Sequence, residues 1–122
     1  MKIEHGSVRF HHIHLHVDHI DRMKKVLAKV ATVREVNRFF VDAKEILHLD
    51  FNGINLLLTP VSEQWSPGID HIGVTTHELD CITHELVSEG WKIVDDQTGN
   101  KRRTRFLESP EGIVIELLER KK

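Results

Sequence analysis

Polar and apolar residues alternate through Phe10-His11-His12-Ile13-His14-Leu15-His16-Val17. A strand's period of two puts His12, His14 and His16 on one face and Ile13, Leu15 and Val17 on the other. Asp18 then predicts a helix N-cap. Ile20, Met23, Leu27 and Val30 follow at helical spacing, with Arg22, Lys24, Lys25 and Lys29 covering the opposite side. From Thr32 to Val41 the β-branched and aromatic residues predict a strand. Glu45 to Phe51 alternates again, Asn52-Gly53 is a strong hairpin-turn signal, and Ile54 to Thr59 returns as a strand. Pro60 to Gly68, with two prolines, two serines and a glycine, reads as a linker in which Trp65 anchors on something apolar.

The second half replays the first. Asp70-His71-Ile72-Gly73-Val74 lays over His11-His12-Ile13-His14-Leu15 without a gap, so His71 is the counterpart of His12. His71 to Thr75 predicts a strand, and Leu79, Ile82 and Leu86 the apolar stripe of a helix on whose surface His77, Cys81 and His84 lie. Gly90 stands where a helix C-cap glycine belongs. Trp91 to Val94 reads as a short strand, Asp95 to Arg102 as a polar loop, Arg103 to Leu107 as a strand and Pro110-Glu111-Gly112 as a turn. Ile113 to Leu118 closes the pattern. The ends, Met1 to Arg9 and Glu119 to Lys122, read as a polar lead-in and a solvated tail. In the same frame, Ile54-Asn55-Leu56-Leu57-Leu58 matches Ile113-Val114-Ile115-Glu116-Leu117. The prediction is an α+β fold of two tandem β-α-β-β-β modules around a concave cleft, module one at 10–60, linker at 61–69 and module two at 70–119, in one domain of 122 residues.

Each helix must cover one face of its sheet, because its apolar stripe has nowhere else to go. The opposite face then receives His12, His14, His16, Leu57, His71 and Glu116. Glu116 is the anomaly, since its counterpart Leu57 is apolar. A buried carboxylate finds a partner, takes up a proton or binds a metal. A pseudo-twofold between the modules brings His12 and His71 together, and two imidazoles with one carboxylate form an open triad suited to divalent Fe, Mn, Co, Ni or Zn. Three protein ligands leave room for water or substrate, as catalytic sites do. The competing reading is hydrogen-bonded structural histidines, with Glu116 paired to Arg103 or Arg105.

Composition narrows the class. Hydrophobic residues are 39% and charged residues 30%, ordinary for a globular chain, and the net charge of -2 with no long block of one sign indicates no nucleic-acid footprint. The single cysteine, Cys81, excludes an internal disulfide and suits a reducing compartment. No apolar run approaches the roughly 18 residues of a membrane span. The expected setting is therefore cytoplasmic, with no membrane partner. Tyrosine is absent, which removes one common catalytic acid.

The tandem arrangement resembles the vicinal oxygen chelate superfamily of glyoxalase I, bleomycin-resistance proteins, extradiol dioxygenases, methylmalonyl-CoA epimerase and fosfomycin-resistance thiol transferases. The features that carry the resemblance are His12, His71 and the run Phe106-Leu107-Glu108-Ser109-Pro110-Glu111-Gly112 leading to Ile115-Glu116-Leu117. It spans about Phe10 to Glu119. It implies a glyoxalase-like curved sheet, metal-ligand positions at His12, His71 and Glu116, one divalent ion, and commonly a homodimer. The fourth ligand of glyoxalase I and the epimerases is missing, because Leu57 and its neighbours are apolar. The activity implied is a metal-dependent lyase, isomerase, dioxygenase or thiol transferase acting on a small substrate that chelates through adjacent oxygens. A metal-free sequestering protein of the bleomycin-resistance type is the alternative.

His14 shares the face of His12, and Glu45 stands at the repeat equivalent of Thr104. These are the two candidates for moving a proton. Lys101, Arg102, Arg103 and Arg105 form a basic loop and strand able to hold a substrate carboxylate or phosphate, or simply to be balanced by Asp95, Asp96 and Glu108.

Overall fold

The alternating runs form strands. In the computed structural model, which describes residues 8–120, eight strands and two helices follow the order β1 (Arg9–Val17), α1 (Ile20–Ala28), β2 (Val33–Val41), β3 (Lys44–Phe51), β4 (Ile54–Pro60), β5 (Gly68–Thr75), α2 (Leu79–Ser88), β6 (Lys92–Thr98), β7 (Arg102–Glu108) and β8 (Val114–Arg120). The chain divides into two units. One is His12–Asp70; the other is the chain from His71 onward together with the start of β1 up to His11. The fold is α+β, as the repeat predicts. Most of the polar lead-in and the last two residues of the tail lie outside the described residues.

In the first unit the strand order is β2-β3-β4-β1, with β1 and β4 parallel and the rest antiparallel. The β3–β4 hairpin turns at Asn52 and Gly53, both left-handed at φ 51° and 93°, and Asp50 Oδ1 accepts the Gly53 N–H at 2.7 Å. One sheet face meets α1: Val17, Ile20, Leu47, Leu49, Leu56 and Leu58 make the core, with Met23 and Leu27 packed against it. In the second unit the order is β5-β8-β7-β6, again with its first and last strands parallel. Leu79, Leu107 and Leu117 are its buried core, flanked by Ile82, Leu86 and Trp91.

The repeat survives in the register. His14 stands opposite Leu57 in the first parallel pair, and Gly73 opposite Glu116 in the second. Both pairs are offset by the same 59 positions that separate His12 from His71. Gly90 takes φ 95° just past α2, and the N–H groups of Gly90 and Trp91 close on Val87 and Leu86.

Several expectations need correction. The N-cap of α1 is His19, without a side-chain bond, rather than Asp18; burial of Ile20 in the core fixes where the first turn starts. The helix ends at Ala28, which leaves Val30 outside the apolar stripe and 73% exposed. His77 precedes α2 instead of lying on it. The stretch read as a loop from Asp95 is strand as far as Thr98. Its polar residues bond across the edge, with Arg105 Nη2 reaching Asp96 Oδ2 at 3.0 Å, so apolar periodicity does not mark it. Glu119 belongs to β8 and is not part of a solvated tail.

Candidate metal centre

Polar side chains, not the aliphatic ones, are the more deeply buried half of β1. His12, His14 and His16 are 4%, 6% and 3% exposed, while Ile13 and Leu15 are only half-buried. The hydroxyl of Thr59 on β4 shares a 2.6 Å hydrogen bond with His14 Nε2, which fixes that ring. The His16 ring stacks on Trp65 with centroids 5.3 Å apart, and its Nδ1 lies 3.6 Å from Asp70 Oδ1. Trp65 thus has polar ring partners beside the apolar Val41, Pro60 and Val61 that share a pocket wall with it. It lies between an imidazole and the Lys44 ammonium, 4.1 Å from its ring centroid.

Glu45 goes elsewhere. It lies on the α1 side of the sheet with Leu47 and Leu49, and Arg38 Nη1 donates to its Oε2 at 3.4 Å. Arg38 also binds Asp21 and Glu35, and its hydrogen bonds hold both carboxyls below their ordinary values. Glu45 and His14 thus face opposite sides of the same sheet.

In the second unit, His71 on β5 and Glu116 on β8 come together. Their strands are parallel neighbours, and both residues project to the side away from α2. His71 Nε2 and Glu116 Oε1 lie 3.1 Å apart, with the side chains 7% and 13% exposed. Phe106, directly opposite Glu116 across β7–β8, sets its ring edge-on to His71 at 5.1 Å and walls the pair. The arginines that might have claimed Glu116 are committed to the other side of the sheet. Arg103 binds Glu119 and Asp80, and Arg105 binds Asp80, Asp96 and Thr83.

The donor pair suits a divalent ion. Two ligand atoms each about 2.1 Å from a metal and at right angles are about 3.0 Å apart, close to the His71–Glu116 separation. An imidazole with a carboxylate is a donor set for Fe, Mn, Co, Ni or Zn. The sequence reads Trp65 as a linker anchor and Phe106 as part of the family-like run, and assigns neither to the histidine-bearing face; it gives Thr59 no role.

No helix among the described residues is long and apolar enough to cross a membrane. No protein-family model matches the chain, and no curated protein matches its sequence. Solved structures do match. A hypothetical protein from Bacillus halodurans C-125 superposes with TM-score 0.72 at 19% identity, over 95% of this chain and 96% of that one. Methylmalonyl-CoA epimerase from Mycobacterium tuberculosis gives 0.68 at 19% identity, over 93% and 88%. The Streptomyces coelicolor epimerase in complex with 2-nitronate-propionyl-CoA gives 0.66 at 16% identity, over 91% and 96%. The chain has the glyoxalase-like fold of the vicinal oxygen chelate proteins.

Proposed function

We propose that this protein is a divalent-metal-dependent enzyme of the isomerase type, acting on a small carbonyl compound that presents adjacent oxygens. The observation that carries the reading is the buried His71–Glu116 donor pair at 3.1 Å. His12, the repeat counterpart of His71 and equally buried, is the third ligand in this reading. When bound, the ion supplies Lewis acidity that stabilises negative charge developing on a substrate oxygen.

The chain's own residues do the remaining work. His14, pinned at Nε2 by Thr59, is the group that takes a proton from substrate carbon and returns it. Glu45 suits that role less well, being held by Arg38 on the α1 side of its sheet. Phe106 keeps water from one side of the ligand pair. Absence of tyrosine weighs against the dioxygenase branch, and the fold neighbours named as epimerases weigh toward isomerisation.

The test is metal content in protein prepared without an affinity tag and incubated with Fe, Mn, Co, Ni or Zn. One ion per chain in the parent, lost in both His71→Ala and Glu116→Ala, supports the reading. A parent that takes up none of the five leaves the metal-free sequestering protein as the better description.

A further inference from the structure

Two neighbouring rungs of the β7–β8 ladder carry opposite electrostatics. On one, Arg103 faces Glu119 and the two form an ion pair at 2.7 Å. On the next, Arg102 stands directly opposite Arg120 in the register, two like-charged residues on one rung. Like charges in that position destabilise a sheet. Among the described residues neither arginine has a carboxylate partner, and both are exposed.

Both side chains line one cavity of about 460 Å³, a size ordinary for small-molecule sites. Arg9, His11 and His77 line it too. The one carboxylate on its wall among the described residues, Glu119, is already used: Oε1 accepts from Arg103 and Oε2 from the Leu79 N–H. An adjoining hollow, lined by Arg102, Arg120 and the Gly99–Lys101 turn, adds the Lys101 ammonium. Three arginines therefore line a cavity whose wall, among the described residues, offers no uncommitted carboxylate.

We propose that this cavity is an anion site for a phosphoryl group, clamped by Arg102 and Arg120 with Arg9 beside them. A guanidinium offers paired N–H donors that match phosphate oxygens, and a dianion between the two arginines turns their repulsion into attraction. The cavity is larger than a phosphate ion needs, so an esterified phosphate fits as well as the free one. None of the proposed metal ligands takes part, and failure of the metal reading leaves this site untouched.

Calorimetric titration of the whole protein with inorganic phosphate and with glycerol phosphate tests the proposal, at constant ionic strength in chloride. Saturable binding at one site is expected, weakened at least tenfold in Arg102→Ala and in Arg120→Ala and unchanged in Arg34→Ala, whose arginine pairs with Asp50 elsewhere. Tighter binding of the ester assigns the site to a phosphorylated small molecule; tighter binding of the inorganic ion assigns it to free phosphate. Without ligand, each of the two alanine variants should melt at or above the parent temperature, because the opposed charge is gone. A structural role predicts the reverse. No saturation with either probe, binding that survives both substitutions, or equal competition by duplex DNA would overturn the proposal.

Discussion

Glu119 ties three elements together through Arg103. The Arg103 Nε and Nη2 groups both donate to Glu119 Oε1, at 2.9 and 2.7 Å, while Glu119 Oε2 accepts the Leu79 N–H at 3.1 Å. A carboxylate on β8 therefore holds β7 and satisfies the first turn of α2, whose residue Leu79 is fully buried in the core. Glu119→Ala should cost about 1–3 kcal/mol, since it orphans a part-buried guanidinium and a helix N–H together. Glu119→Gln should cost less, because it keeps an acceptor oxygen. Urea unfolding of both variants checks the order; equal losses would mean that charge, not acceptance, carries the effect.

Arg103 also reaches Asp80 Oδ2 at 3.1 Å, and this hydrogen bond, partly offset by burial, holds the Asp80 carboxyl below its ordinary value. A carboxyl with a lowered folded pKa stabilises the fold above its unfolded value of 3.8 and loses that contribution as pH falls through the folded one. Asp80→Asn should therefore be less stable than the parent at neutral pH, with the gap closing in acid. The Asp80 side chain is 70% exposed, so the neutral-pH gap should stay under about 1 kcal/mol and shrink in high salt. Denaturation midpoints measured from pH 7 down to pH 2 test the sign; a gap that widens in acid contradicts it.

Leu57 and Leu58 are adjacent on β4 but face opposite sides of the sheet. Leu58 is fully buried among Val17, Ile20, Leu47 and Leu49, so Leu58→Ala should cost about 2–5 kcal/mol through lost burial and a residual cavity. Leu57 is half-buried on the histidine-bearing side, so Leu57→Ala should cost clearly less. Similar losses at both positions would show that the side away from α1 is packed as tightly as the core.

Much of this was legible in the chain itself. Period-two alternation marks β1, β3 and β4 because one face of each meets a helix, and the 59-residue offset predicts the matched register of Leu57 and Glu116. It fails for the second half of β6, Asp95 to Thr98, where the residues are exposed and polar and Asp96 pairs by charge with Arg105, so no apolar rhythm extends the short strand read at Trp91 to Val94. It also misjudges Glu119, where a terminal charged run conceals a carboxylate with two structural partners. The Glu116 anomaly was readable as a charge where the repeat has leucine. That Arg103 and Arg105 turn toward Asp80 was not, because β7 alternation alone does not say which face each arginine takes. Trp65 is a similar case: a tryptophan in a linker suggests apolar anchoring, and only the tertiary fold brings His16 and Lys44 to its ring as well.

Metal binding, if carried by the His71–Glu116 pair, must appear as stability. An ion that binds only the folded chain stabilises it by about 2.7 kcal/mol at one hundred times its dissociation constant. For a chain of this size that is a rise in melting temperature of roughly 10 °C. The expected result is such a rise with at least one of Fe, Mn, Co, Ni or Zn, reversed by a chelator. It should vanish in His71→Ala and Glu116→Ala, and in His12→Ala if that histidine completes the ligand set. Loss of Glu116 also takes from the buried His71 ring a carboxylate 3.1 Å away, so the variant's own stability changes without metal, and the metal-induced shift is the diagnostic quantity. His14→Ala should keep the shift while losing proton transfer, which separates ligand from base. A shift of equal size in the parent and in His71→Ala would place the ion elsewhere and remove the basis for the enzyme reading.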